Sequence, residues 1–190
     1  MRSDGQATRE RILVAARAEF AAHGLAGARV DRIAASANAS KERLYAYFGD
    51  KTALFGAVIE VNTDEVKAAV PLDTSDLPGF VGRVYDHATN HPEHLRMLDW
   101  ARLEGQFVAD ATHVPPWRSP EQIAAIEDAQ RAGTIDADWN PQDLLTLLLS
   151  LATAWVHAPV DIDELNGRLN AETVARRRAA AVDAARKLLS

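Results

Sequence analysis

The 190-residue sequence contains no cysteine, which excludes disulfides and every thiolate-based metal site. Long apolar runs are missing too. The most apolar stretch, Leu144 to Val156, is about 13 residues long and is interrupted by Thr146, Ser150 and Thr153. It falls short of the roughly 20 residues that span a bilayer. The opening MRSDGQATRE is polar and charged, without the apolar core of a signal peptide. No phosphate loop, glycine-rich dinucleotide turn or Gly-x-Ser-x-Gly elbow occurs. No segment alternates with the period of two that strands require, and there is no internal repeat. A soluble, cytoplasmic protein with no membrane partner is expected, and no motif points to a catalytic site or a cofactor.

The net charge of −6 argues at first against a polyanionic partner. Its distribution reverses that reading. Residues 1–51 carry nine Lys/Arg against six acids, whereas the remainder carries twelve against twenty-one. A basic head on an acidic body turns the head toward phosphates and holds the body away from them.

Apolar residues recur at helical spacing through most of the chain. Thr8 can cap a first helix whose inner face is Ile12, Ala15, Ala16 and Phe20, with Gly24 placed to end it. A short second helix runs from about Val30 to Ala37. Asn38 follows, a residue tolerant of the left-handed conformation. Ser40 then caps a third helix, Lys41 to Phe48, with Leu44 and Phe48 inward, and Asp50 caps a fourth. Past a break at 71–79 the pattern resumes over Phe80–His91 and from Pro92 to about Ala109. Further helices are expected over Glu121–Ala132, from Pro141 (capped by Asn140) to about His157, and over Ala171–Leu189. The fold class is therefore all-α with about nine helices. The expected division is a three-helix head over residues 1–51 and a helical body over 52–190.

Two short helices joined by a tight turn, over about 29–48, make a helix-turn-helix, whose second helix fits a major groove. With Leu44 and Phe48 inward, Ser40, Lys41, Arg43, Tyr45 and Tyr47 are left outside, all of them hydrogen-bond formers. The string VDRIAASANASKERLYAYFGDKTALF resembles the DNA-binding segment of the TetR (tetracycline repressor) family. The matching pattern is Ile33-Ala34, a small-residue turn ending at Ser40, Leu44-Tyr45-x-x-Phe48, Lys51 and Leu54. TRERILVAARAEFAAHG (8–24) matches that family's first helix. Two positions depart from the pattern: Arg29 stands where a capping Thr is usual, and Glu42-Arg43 where Gly-Thr is common. Both bear on the DNA sequence read. The resemblance implies a homodimeric regulator of palindromic duplex DNA, most often a repressor, released by a small-molecule effector. Lys41 and Arg43 are candidates for base edges. Arg29, Tyr45, Tyr47 and Lys51 are candidates for phosphate. The competing reading makes the two tyrosines core cover and Lys51 a solvated charge.

AGTIDADWNPQDLLTLLLSLATAW (132–155) is similar to the penultimate, dimer-forming helix of such regulators. Its leucines cover most of the circumference, so it must be buried on several sides. Leu144, Leu148, Leu151 and Trp155, with Val174, Ala181 and Ala185 of the last helix, are the expected twofold interface. The alternative is that both helices complete a monomer core. The resemblance also implies an effector pocket in region 80–130. Candidate walls are Phe80, Met97, Trp100, Leu103, Phe107 and Trp117, with Asp99, Arg102 or Glu104 as orienting groups. Ordinary aromatic core is the competing reading. A different class of function, a metal-binding helical protein or metal-dependent enzyme, is raised by His87, His91 and His94, which on a continuous helix would share a face as metal ligands do. Pro92 interrupts that face, so no metal is expected.

Overall fold

The computed structural model describes residues 4–105, 119–158, 165, 167 and 169–190. Phe107, Trp117 and the rest of the loop around them lie outside the described residues. Among the described residues there are nine helices and no strand. They are α1 (Asp4–Gly27), α2 (Val30–Ser36), α3 (Lys41–Phe48), α4 (Lys51–Ala69), α5 (Leu77–Asn90), α6 (Pro92–Leu103), α7 (Pro120–Arg131), α8 (Pro141–Thr153) and α9 (Ala171–Leu188). No described helix is long and apolar enough to cross a membrane.

Local chemistry sets the helix ends. Asn140 accepts from the backbone N–H groups of Gln142 and Asp143, and Pro141 occupies the first turn of α8, where its missing N–H costs nothing. Ser119 and Gln122 make a reciprocal capping box at α7, and Asn170 caps α9 through the Thr173 N–H. Gly24 adopts φ 63°, ψ −178° inside α1, so the helix kinks where a terminating glycine was expected.

Two compact units result. The first comprises Met1–Val66 and His91–Pro115, the second Lys67–Asn90 and Pro116–Ser190. The unit that holds the helix-turn-helix is therefore larger than residues 1–51. It includes most of α4 and all of α6. Its core joins Ile12, Ala16, Phe20, Ile33, Leu44, Leu54 and Phe55 to Met97 and Ala101 of α6. Phe20 meets Phe55 edge-on at 5.0 Å between ring centroids, a pair worth about 0.5–1.5 kcal/mol beyond its buried area. The second core joins Phe80 and Val81 of α5, Ile126 of α7, Leu144, Leu145 and Leu148 of α8, and Ala181 and Ala185 of α9.

Candidate nucleic-acid interface

The turn between α2 and α3 is built from backbone bonds. Asn38 N–H donates to Ala35 O at 3.2 Å and Ala39 N–H to Ala34 O at 3.0 Å. Together they form the paired closure of a Schellman motif. That closure needs a left-handed residue, and Asn38 at φ 49° is the only non-glycine with positive φ among the described residues. Arg11 reaches from α1 to donate to Ala37 O at 3.2 Å, tying the end of α2 to the first helix. Ser40 then accepts the Arg43 N–H and starts α3.

α3 has two faces. Leu44 and Phe48 are buried, and Lys41, Glu42, Arg43, Tyr45 and Tyr47 are exposed. Beside α3, Arg43 and Ser40 border an open depression of ≈ 390 Å³ with Ala34, Ala35, Asn38 and Ala39. Lys41 is ion-paired with Asp31 of α2, and that ammonium holds the Asp31 carboxyl below its ordinary range. Glu42 folds back on the start of α3. Its own backbone N–H and the Ser40 hydroxyl hold its carboxyl below the usual value, and helix N-termini favour negative charge. Tyr47 donates to Gly5 O at 3.0 Å, and the Arg9 guanidinium lies 5.3 Å over the Phe48 ring.

Arg29 occupies the N-cap position of α2 with no side-chain cap bond. Glu19 of α1 substitutes for one by accepting the Arg29 backbone N–H at 2.8 Å. The same carboxylate takes Arg32 Nε at 2.9 and 3.0 Å. Arg32, its nearest strong donor, holds the Glu19 carboxyl below the usual range. Lys51 points its ammonium at the end of α1, donating to Ala28 O at 3.2 Å and Ala26 O at 3.4 Å. Cations suit carbonyl-rich helix ends. Glu19, Arg32, Arg11 and Asp31 escaped sequence reasoning. The partners that tie them to another helix, Ala37 for Arg11, Arg29 and Arg32 for Glu19, and Lys41 for Asp31, are ten or more residues away, and only the (i, i+3/i+4) neighbours of a helix are legible locally.

The remaining expected residues fall as follows. Phe80 is in the core of the second unit and Met97 in the core of the first. Trp100 packs its ring on Gly24 and donates Nε1–H to Ala21 O at 3.2 Å, while Leu103 is 65% exposed. Of the orienting groups, Arg102 is exposed and Asp99 and Glu104 are half-buried. Leu144, Leu148, Ala181 and Ala185 are buried within the second unit itself. Leu151, Trp155 and Val174 are half-buried against that core, and Leu147 and Val156 are left exposed. His91 and His94 stack at 5.3 Å, close to Glu93. His87 belongs to α5, in the other unit.

The family model described as bacterial regulatory proteins, tetR family, matches residues 12–58. The model described as tetracyclin repressor-like, C-terminal domain, matches residues 76–187. The chain belongs to the TetR family. This TetR-family protein is 41% identical over 158 residues to the HTH-type transcriptional repressor SCO4008 of Streptomyces coelicolor, covering 82% of each chain. It is 33% identical over 133 residues to the repressor NicS of Pseudomonas putida, covering 66% of this chain and 63% of that one. Among solved structures, the Streptomyces coelicolor regulator SCO4942 superposes with a TM-score of 0.81 at 41% identity, over 96% of this chain and 98% of that one. The first family match begins within α1 and ends within α4, so the Gly24 kink, the Asn38 turn and the whole of α3 lie inside it.

Proposed function

We propose that this TetR-family protein represses transcription as a homodimer that reads a palindromic operator with two copies of α3. The observation that carries the reading is α3 itself, whose apolar residues are spent on the core while its polar residues face solvent. Arg43, beside the turn, is suited to the O6 and N7 atoms of guanine. Lys41, released from Asp31, reaches an adjacent base, and Tyr45 and Arg29, joined by Tyr47 once its hydroxyl leaves Gly5 O, bind phosphate oxygens and set the register. One such helix binds a half-site weakly, so two are needed about 34–36 Å apart. The outward stripe of α8, centred on Leu147, supplies the contact between copies.

Release by an effector is supported by α6, which shares its core with α1. Trp100 lies against Gly24 of α1, so a ligand that moves Trp100 acts on the reading unit directly. The coupling is reciprocal, and operator DNA weakens effector binding by the same factor.

Selection of bound duplexes from a random pool tests the reading. A palindromic consensus is the expected result, and Arg43→Ala should lose preference at one position per half-site. Recovery of sequences with no shared motif would overturn it.

A further inference from the structure

We propose that the start of α6, with Glu65 of α4, is a binding site for a divalent late first-row transition metal, which competes there with Arg17. Three donors converge at the start of α6, where the ligand atoms of His91, Glu93 and His94 lie within 4.8 Å of one another, and Glu65 approaches His94 from α4. His91 Nδ1 is 3.5 Å from Glu93 Oε1, and that oxygen is 3.9 Å from His94 Nε2. His94 Nε2 is in turn 3.5 Å from Glu65 Oε2. In a tetrahedral site with bonds of about 2.0–2.2 Å, neighbouring donor atoms are about 3.3–3.6 Å apart. Two of the edges, at 3.5 Å, are therefore at chelating length before any ion arrives, and the 3.9 Å edge is slightly longer. All four residues belong to the first unit.

Sequence and packing explain the convergence. Pro92 begins α6 with His91 as its N-cap, and a spacing of three then sets His94 above His91. Buried Asn62 of α4 donates to His94 O at 3.2 Å, which fixes the backbone of His94 against α4, one turn from Glu65.

A positive charge already sits at this place. Arg17 Nη1 is 2.9 Å from His94 Nε2, and its Nη2 is 2.7 Å from Glu65 Oε2. Arginine is a donor only, so His94 Nε2 turns a lone pair toward the guanidinium, as it must toward a metal. Arg17 is imperfectly served in return, since its buried Nε has no hydrogen-bond partner. Metal binding exchanges one cation for another on the same acceptors. It also requires His91 to turn, because its ring is nearly parallel to that of His94, at 21°, and in-plane lone pairs of parallel rings do not converge. The His91 side chain is 51% exposed. Two imidazoles and two carboxylates with no thiolate select zinc, nickel, cobalt or copper(II), and discriminate against magnesium, calcium and copper(I).

Arg17 lies on α1 two residues from Glu19, which holds the start of α2. Metal at Glu65 and His94 would free Arg17 and clamp α4 to α6 within the unit that holds α3. This consequence rests on the function proposed above, whereas the site itself does not.

The full chain, purified without a histidine tag and stripped by chelator, is titrated with zinc against a chromogenic chelator. One zinc per chain is expected, with magnesium ineffective. His94→Gln and Glu93→Gln should each weaken zinc by at least about tenfold, His87→Gln should not, and circular dichroism verifies that each variant is folded. Arg17→Met should bind zinc more tightly than the parent, because the competing cation is gone. No stoichiometric zinc in the folded parent, or equal zinc binding by His94→Gln, overturns the site. Unchanged or weaker zinc binding by folded Arg17→Met overturns the competition. DNA binding by the stripped protein is measured separately. Its failure would count against the regulator reading and leave the zinc result standing.

Discussion

The Glu19 carboxylate accepts the backbone N–H of Arg29 at 2.8 Å across ten residues of sequence, supplying from α1 the cap that α2 lacks. Its side chain is 11% exposed, and Arg32 holds its carboxyl below the ordinary value. A carboxyl depressed in the folded state stabilises the fold at every pH above its unfolded value, near 4.3. That contribution disappears as the pH falls through the lower folded value. Thermal melts of the parent should therefore lose stability on acidification below about pH 4.5, and Glu19→Gln should be flatter over that window. At neutral pH Glu19→Ala, which removes the acceptor altogether, should cost about 0.5–2 kcal/mol, the range for loss of a helix cap. Identical acid profiles for the parent and Glu19→Gln would mean that Arg32 and Arg29 do not hold the Glu19 carboxylate in the folded state.

Gly24 is required twice over. Its φ of 63° disfavours any side chain, and a Cβ there would stand 2.6 Å from the Trp100 ring. Gly24→Ala should destabilise by about 2–4 kcal/mol, combining left-handed strain with overpacking. Urea denaturation reads this directly. An unchanged midpoint would mean that α1 and α6 separate without cost.

Lys51 stands at a residue expected from sequence to bind phosphate, yet its ammonium is bonded to the carbonyls that end α1. Lys51→Met should lower the melting temperature. It should change the slope of log affinity against log salt by less than the roughly one unit that a phosphate contact gives. A full unit lost, with no change in stability, would return Lys51 to the DNA.

The salt dependence of DNA binding also tests the pairing of Asp31 with Lys41. Asp31→Asn removes a carboxylate beside the groove and releases the Lys41 ammonium. The slope should steepen by up to about one unit, and affinity for unrelated DNA should rise more than affinity for the selected operator. Equal gains on both would mean that Lys41 reads no base.

Sequence legibility followed the range of the interactions. The α2–α3 turn was readable because Asn38, Ser40, Leu44 and Phe48 act within one or two helical turns of one another. Glu19 with Arg29, and Lys51 with Ala28, were unreadable because each joins different helices at a distance that only packing determines. Met97 shows the same boundary. The sequence offers it as a pocket wall or as ordinary core, but does not say that its core neighbours are α1 and α4. In α8 the leucine run was legible as buried, and the allocation of its faces was not. Leu144 and Leu148 serve the protomer's own core, which leaves the outward stripe to residues such as Leu147.

That allocation can be tested through the oligomeric state. Leu147 is 41% exposed on α8, and Val14 on α1 is 68% exposed. A scattered apolar side chain on a surface needs no partner, so exposure alone does not distinguish the two. An isologous contact does, because a charge at its centre meets its own copy across the twofold axis. Leu147→Arg should therefore sediment as a monomer at micromolar concentration, while Val14→Arg leaves the assembly intact. In the same samples, Leu147→Arg should weaken binding to a palindromic duplex far more than to a single half-site, since only the former uses both α3 helices. A Leu147→Arg protein that remains dimeric would move the twofold contact away from α8 altogether.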